Sequence, residues 1–330
     1  MIINKIKWGV LPDDAQVHLY EMVNSHGNSV TVTDFGGIIT SIMMPDAFGV
    51  RNDVVLGYDT LEEYILDECY FGAMIGRYAN RIADGQFTLN GTTWHLTKNQ
   101  KGNTLHGGSG FHKKLWNATM TENGLLLQYR SPHGEDGFPG NLDVSVFCTL
   151  SDDNCFRMDM QAVSDQDTVC SLTNHTYFNL AACGDIFTHS FQIFAEEYTP
   201  LGEGRIPNGT VSRVEGTEYD FRKMRTLTES KFDANYVIPE GQGGCAVVRE
   251  PHSGRILTVS SDLPAMQFYA GSGVKPRQGK EGKVYGPNSG FCLEPQYFPN
   301  SPNIPEFPSC VLKKGEQYQH VICYKFSTEA

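Results

Sequence analysis

Apolar and polar residues alternate one by one along most of this chain, and each alternating run stops at turn-forming residues. A period of two places successive side chains on opposite faces of a strand, whereas a helix needs a period near 3.6. Helical periodicity is scarce here, so the chain is predicted to be all-β and built from hairpins. In "FTLNGTTWHL", Phe87 and Leu89 alternate before Asn90-Gly91, and Trp94 and Leu96 alternate after it. Asn-Gly supplies the positive φ angles of a tight hairpin turn. In "LDVSVFCTLSDDNCFRMDM", Leu142, Val144, Val146, Cys148 and Leu150 form one apolar face, and Phe156, Met158 and Met160 form another across "SDDN". "VHLYEMVNSHGNSVTVTDF" repeats the design near the N-terminus, and "CAVVRE" through "GRILTVSSD" repeats it around residues 245 to 262.

One short helix is expected at "TLEEYILDE", with Thr60 as cap and Glu63 completing a capping box. No linker, charge block, low-complexity tract or fixed-period repeat divides the chain. These features predict a single domain, residues 1 to 330, made of packed antiparallel sheets: a large β-sandwich with few short helices.

Charge and cysteine usage narrow the function. A formal net charge of -12 opposes nucleic-acid binding, which needs clustered Lys and Arg. A small uncharged ligand is expected instead. "MIINKIKWGVLPDD" lacks the apolar run of a signal peptide, and no stretch is apolar over the ~20 residues of a membrane helix. The nine cysteines are scattered singly with no C-x-x-C pair, so neither a disulfide framework nor a zinc ribbon is expected. A cytoplasmic, membrane-free protein follows as the expectation. The sequence carries no signal for an oligomeric state.

Six segments place polar groups where a plain β-protein would place apolar ones. "GRYANRIADG" presents Arg77, Asn80 and Arg81 without clean alternation, with a structural tie the more expected role for Arg77 than for Arg81. "GNTLHGG" sets His106 before two glycines. "TNHTYFNL" reads as a half-buried strand with Thr173, His175, Tyr177 and Asn179 on one hydrogen-bonding face. "FDANYVI" and "AMQFYAG" pair Asp233 with Asn235 and Gln267 with Tyr269 on strand faces. In "GFCLEPQYFPNSPN", Glu294 stands inside an apolar run, where a carboxylate must be paired or functionally poised. Pro295 cannot donate to a ladder, so that strand is expected to end, bulge or lie at an edge.

Two imidazoles and a carboxylate, His106, His175 and Glu294, suit zinc by type, but their wide separation and the lack of H-E-x-x-H argue against it. No G-x-S-x-G elbow supports a serine hydrolase, and no Gly-rich strand-to-helix loop supports a nucleotide. What is left is cofactor-free and metal-free acid/base chemistry: one carboxylate as base, one imidazole as acid, and Arg, Asn, Asp and Gln holding a polyhydroxylated substrate.

The motifs "GRYANRIADGQFTLNG", "NTLHGG", "DGFPGNL", "TNHTYFNL", "MQFYAG" and "GFCLEPQYFPNSPNIPEFP", in this order from about residue 30 nearly to the C-terminus, resemble those of the aldose 1-epimerases, the galactose mutarotases. The resemblance implies a galactose mutarotase-like supersandwich whose concave face binds a free hexose, and interconversion of its anomers without a cofactor. By motif position Glu294 resembles the base, His175 the acid, and His106 the histidine that positions or polarises the ring oxygen. Asn80, Arg81, Tyr177, Asp233 and Gln267 match sugar-binding positions. Three departures bear on sugar preference and loop shape: Ala234 where relatives often carry histidine, Pro295 where a small polar residue is common, and "AGSGVKP" in place of a "GNFL"-type turn. A catalytically silent sugar binder on the same fold is the competing expectation.

Overall fold

In the computed structural model, residues 1 to 329 are described. Three antiparallel sheets dominate. The first is a five-stranded meander in chain order: Ile2–Val10, Gln16–Val23, Ser29–Thr33, Ile39–Pro45 and Arg51–Asp53. The second has nine strands and is centred on Leu142–Leu150, Cys155–Ser164, the C-terminal Gln317–Thr328 and Arg255–Ser261. The third has five strands and ends in Asp233–Val237, Ala265–Tyr269 and, at its edge, Cys292–Gln296. One main core joins all three, with Val30 and Ile42 from the first, Leu127, Val146, Met160 and Ile322 from the second, and Tyr236, Phe268 and Leu293 from the third. Each such side chain contributes about 1.5 to 3 kcal/mol by leaving water.

The expected hairpins are present. Gln86–Leu89 pairs with Thr92–His95 across Asn90 and Gly91, whose φ angles of 51° and 75° are those of the turn that Asn-Gly favours. Leu142–Leu150 pairs with Cys155–Ser164, Gln16–Val23 with Ser29–Thr33, and Gly244–Arg249 with Arg255–Ser261. The helix is Leu61–Leu66, with Thr60 capping it and Glu63 closing the box; Leu61 and Tyr64 bury its inner face. Pro295 neither ends nor bulges its strand. It lies opposite Met266 on an edge strand, where its missing N–H is needed by no neighbour in the ladder.

One expectation changes. The strand at "TNHTYFNL" is only Thr173–His175, and it is buried on both faces. It pairs with Ala73–Ile75. The Asn174 amide donates to the Gly72 carbonyl at 2.8 Å, which places the polar residue of the opposite face in the interior rather than against solvent.

Candidate active site

A cavity of about 610 Å³ opens among these segments and is lined by Asn80, Arg81, His106, His175, Tyr177, Asp233, Gln267 and Glu294. Every residue singled out for catalysis or sugar contact therefore meets in one place. Glu294 and Gln267 lie on adjacent strands in direct register, and Asp233 is on the next strand. Period-two alternation in three neighbouring strands is what brings these groups onto one surface.

His106 is fixed by a backbone clasp. Its N–H donates to the Asn80 carbonyl at 3.0 Å, and the Asn80 N–H donates to its Nδ1 at 3.2 Å. Both residues have positive φ, 65° for Asn80 and 52° for His106, which curls the two loops toward each other. A backbone N–H can only donate, so neutral His106 carries its proton on Nε2. Burial, with repulsion from Arg81 and from His175 or His112 whenever either is protonated, holds His106 well below the usual histidine range. It is a neutral hydrogen-bond donor.

His175 faces Glu294 at 3.7 Å, Nε2 to Oε2, and both are buried. Burial lowers His175 to about 4. Glu294 is pushed well above the usual carboxylate range, first by burial and then by the charge of Asp233, with Arg81 partly offsetting both. The Glu294 Oε2 has no hydrogen-bond partner. Although the separation is that of an ion pair, desolvation on both sides favours protonated Glu294 beside neutral His175. The Tyr177 ring stacks on His175 with centroids 5.1 Å apart, and the His106 ring meets it edge-on at 5.0 Å.

The polar wall is pre-ordered. Asp233 accepts from Gln267 Nε2 at 2.6 Å and from Arg205 Nη1 at 2.8 Å. Arg81 donates to Gln100 at 2.7 Å and to the Asn80 side-chain oxygen at 3.3 Å. Arg77, by contrast, points away from the cavity: its guanidinium reaches Ser131 and the carbonyls of Ser131, Pro132 and Pro139 at 2.7 to 2.8 Å. Asn235 is buried beside Thr199 and does not reach the cavity.

Ligand atoms of His106, His175 and Glu294 lie within 4.8 Å of one another, so their separation along the chain does not keep them apart in space. Sequence reasoning missed Tyr70, His112, Gln100 and Arg205. Tyr70 packs edge-on against His106 and His112 at 4.7 and 4.6 Å, and all four line the cavity. They sit in loops or, for His112 and Arg205, in single 3₁₀ turns, too short for any periodicity to mark a facing direction.

A family model for aldose 1-epimerase matches residues 18–325. The chain belongs to the aldose 1-epimerase family. It is 40% identical to the galactose mutarotase of Rattus norvegicus, over 98% of both chains, and 34% identical to the aldose 1-epimerase of Haemophilus influenzae, over 96% of this chain and 97% of that one. A solved aldose epimerase homologue from C. elegans superposes with a TM-score of 0.91 at 27% identity, covering 100% of each chain. The protein is thus an isomerase of the aldose 1-epimerase class with the family's β-sandwich fold. Among the described residues, no helix is long and apolar enough to cross a membrane.

Proposed function

We propose that this epimerase interconverts the α and β anomers of free hexoses such as galactose and glucose, with Glu294 as base and His175 as acid. The observation that carries the reading is the buried 3.7 Å pair on the cavity wall, in which burial draws the carboxyl toward holding a proton and the imidazole away from it. The relatives named galactose mutarotase support galactose as a substrate.

The ionised Glu294 takes the C1 hydroxyl proton. As the C1 carbonyl forms, the bond from C1 to the ring oxygen breaks, and that oxygen keeps the electron pair and takes the Nε2 proton of His175. Protonated Glu294 and neutral His175 then face the open-chain aldehyde. Rotation about C1–C2 presents the other carbonyl face. The C5 oxygen re-attacks while His175 takes its proton and Glu294 returns one to the carbonyl oxygen. In each half one proton enters the pair at one member and another leaves it at the other, so the pair always holds one proton and none need be exchanged with water. Burial favours the tautomer that matches the open-chain sugar, while hydroxyls donated by a cyclic sugar stabilise the ionised carboxylate.

The neutral Nε2–H of His106 polarises the ring oxygen. Asn80, Arg81, Asp233 and Gln267 hold the remaining hydroxyls, and Tyr177 forms a wall. The groups come from residues 80 to 294, so the whole chain acts as one functional domain, and the nine free cysteines fit a reducing cytoplasm.

Polarimetry of freshly dissolved α-D-galactose and α-D-glucose tests the reading, with acceleration over the spontaneous rate expected. A folded sample that binds sugar without accelerating mutarotation would make it a silent binder. The chemistry needs no ion, so chelator treatment is expected to leave the rate unchanged; a chelator-sensitive rate would turn the same three donors into a metal set.

A further inference from the structure

The two histidines of the cavity differ in what holds Nδ1. At His106 it is a backbone N–H, which cannot accept and so locks the proton on Nε2. At His175 the side chain that meets it is the Cys292 thiol, with Sγ 3.5 Å from Nδ1, beside the residue's own carbonyl. Cys292 is fully buried, and burial beside Glu294 keeps it a neutral thiol. Cys292 and Glu294 are two residues apart on one strand and share its face, so the strand brackets the imidazole, sulfur at Nδ1 and carboxylate toward Nε2.

We propose that Cys292 is a positioning residue that lets His175 both give and take a proton at Nε2. This rests on His175 being the acid of the reaction. During turnover His175 alternates between imidazolium and the neutral form protonated at Nδ1; in both, Nδ1–H must be accepted. A thiol sulfur accepts it weakly, without the pull of a carboxylate that would trap the imidazolium. A donor-only partner of the kind at His106 would exclude both forms. The other titratable or charged groups round His175 are the Tyr70 and Tyr177 phenols, the His106 and His112 imidazoles, Glu294 and, across the cavity, the Arg81 guanidinium. Cys292 is the one whose contact is with Nδ1.

The test compares Cys292→Ala, Cys292→Val and Cys292→Ser with His175→Asn in mutarotation kinetics, together with ¹⁵N NMR of the His175 ring. Alanine and valine are expected to lower kcat about tenfold or more with KM little changed, and to move His175 toward the form protonated at Nε2. Serine, which accepts as well as donates, is expected to restore most of kcat. Wild-type kcat and an unmoved His175 ring in the alanine or valine variant would overturn the role of Cys292. If alanine does not fold, the comparison of valine with serine decides. Full activity in His175→Asn would instead overturn the acid assignment.

Discussion

A carboxyl with one unpartnered oxygen in a buried strand is unfavourable for folding, and Glu294 is such a group. Its value lies in being pulled toward protonation while a neighbouring imidazole is pulled away from it. Below about 4 the pair holds two protons, and above the raised Glu294 range it holds none; neither form can both give and take. The kcat/KM profile should therefore be a plateau with an acid limb near 4 and a basic limb well above the ordinary carboxylate range. Those values belong to the pair rather than to either residue. Glu294→Gln should lower kcat by about 10² to 10⁴ while sugar binding by calorimetry persists. An acid limb at the ordinary histidine value would show that His175 is not held by burial.

The two arginines of "GRYANR" show how far an element can be read from its letters. Arg81 lines the cavity, while Arg77 is buried in four hydrogen bonds to the segment around Ser131 and Pro139. Arg77→Met should cost about 3 kcal/mol in urea unfolding and leave KM unchanged in the folded fraction, whereas Arg81→Ala should raise KM. Gly107, at φ +78°, has no room for a side chain: a Cβ there would sit 2.1 Å from the Gly76 carbonyl oxygen. Gly107→Ala should thus cost at least about 2 kcal/mol and lower kcat by moving His106. Hairpins such as Leu142–Ser164 were legible because alternation and turn chemistry are local. His106, His175 and Glu294 were legible as polar groups in strand or glycine surroundings, yet alternation could not join them. Their meeting is set by sheet order, and the family resemblance carried that step. Tyr70 and Arg205, both in the left-handed region, face the cavity through loop geometry that leaves no periodic trace.

The four buried histidines are held neutral by burial: His106 well below its usual range, His112 at about 3, and His175 and His189 at about 4. Two of them accept a backbone N–H, His106 from Asn80 and His189 from Leu180, and protonation would break those bonds. A depressed folded value contributes stability above the unfolded value of about 6.5 and loses it as pH falls through the folded one. Each histidine should therefore remove about 1 kcal/mol between about pH 7.5 and 5.5. Glu294 has the opposite sign. Its raised folded value contributes stability that is complete below the unfolded range and is lost as pH rises through the folded value, so acidification strengthens the fold at that one group. Wild-type stability should then decline over this interval by less than the histidines alone require. Glu294→Gln removes the offset without creating a charge: it should be the more stable protein at the higher pH and lose stability more steeply toward the lower one. Urea midpoints of both proteins across the interval measure the difference, and parallel pH dependences would show that Glu294 ionises as freely folded as unfolded.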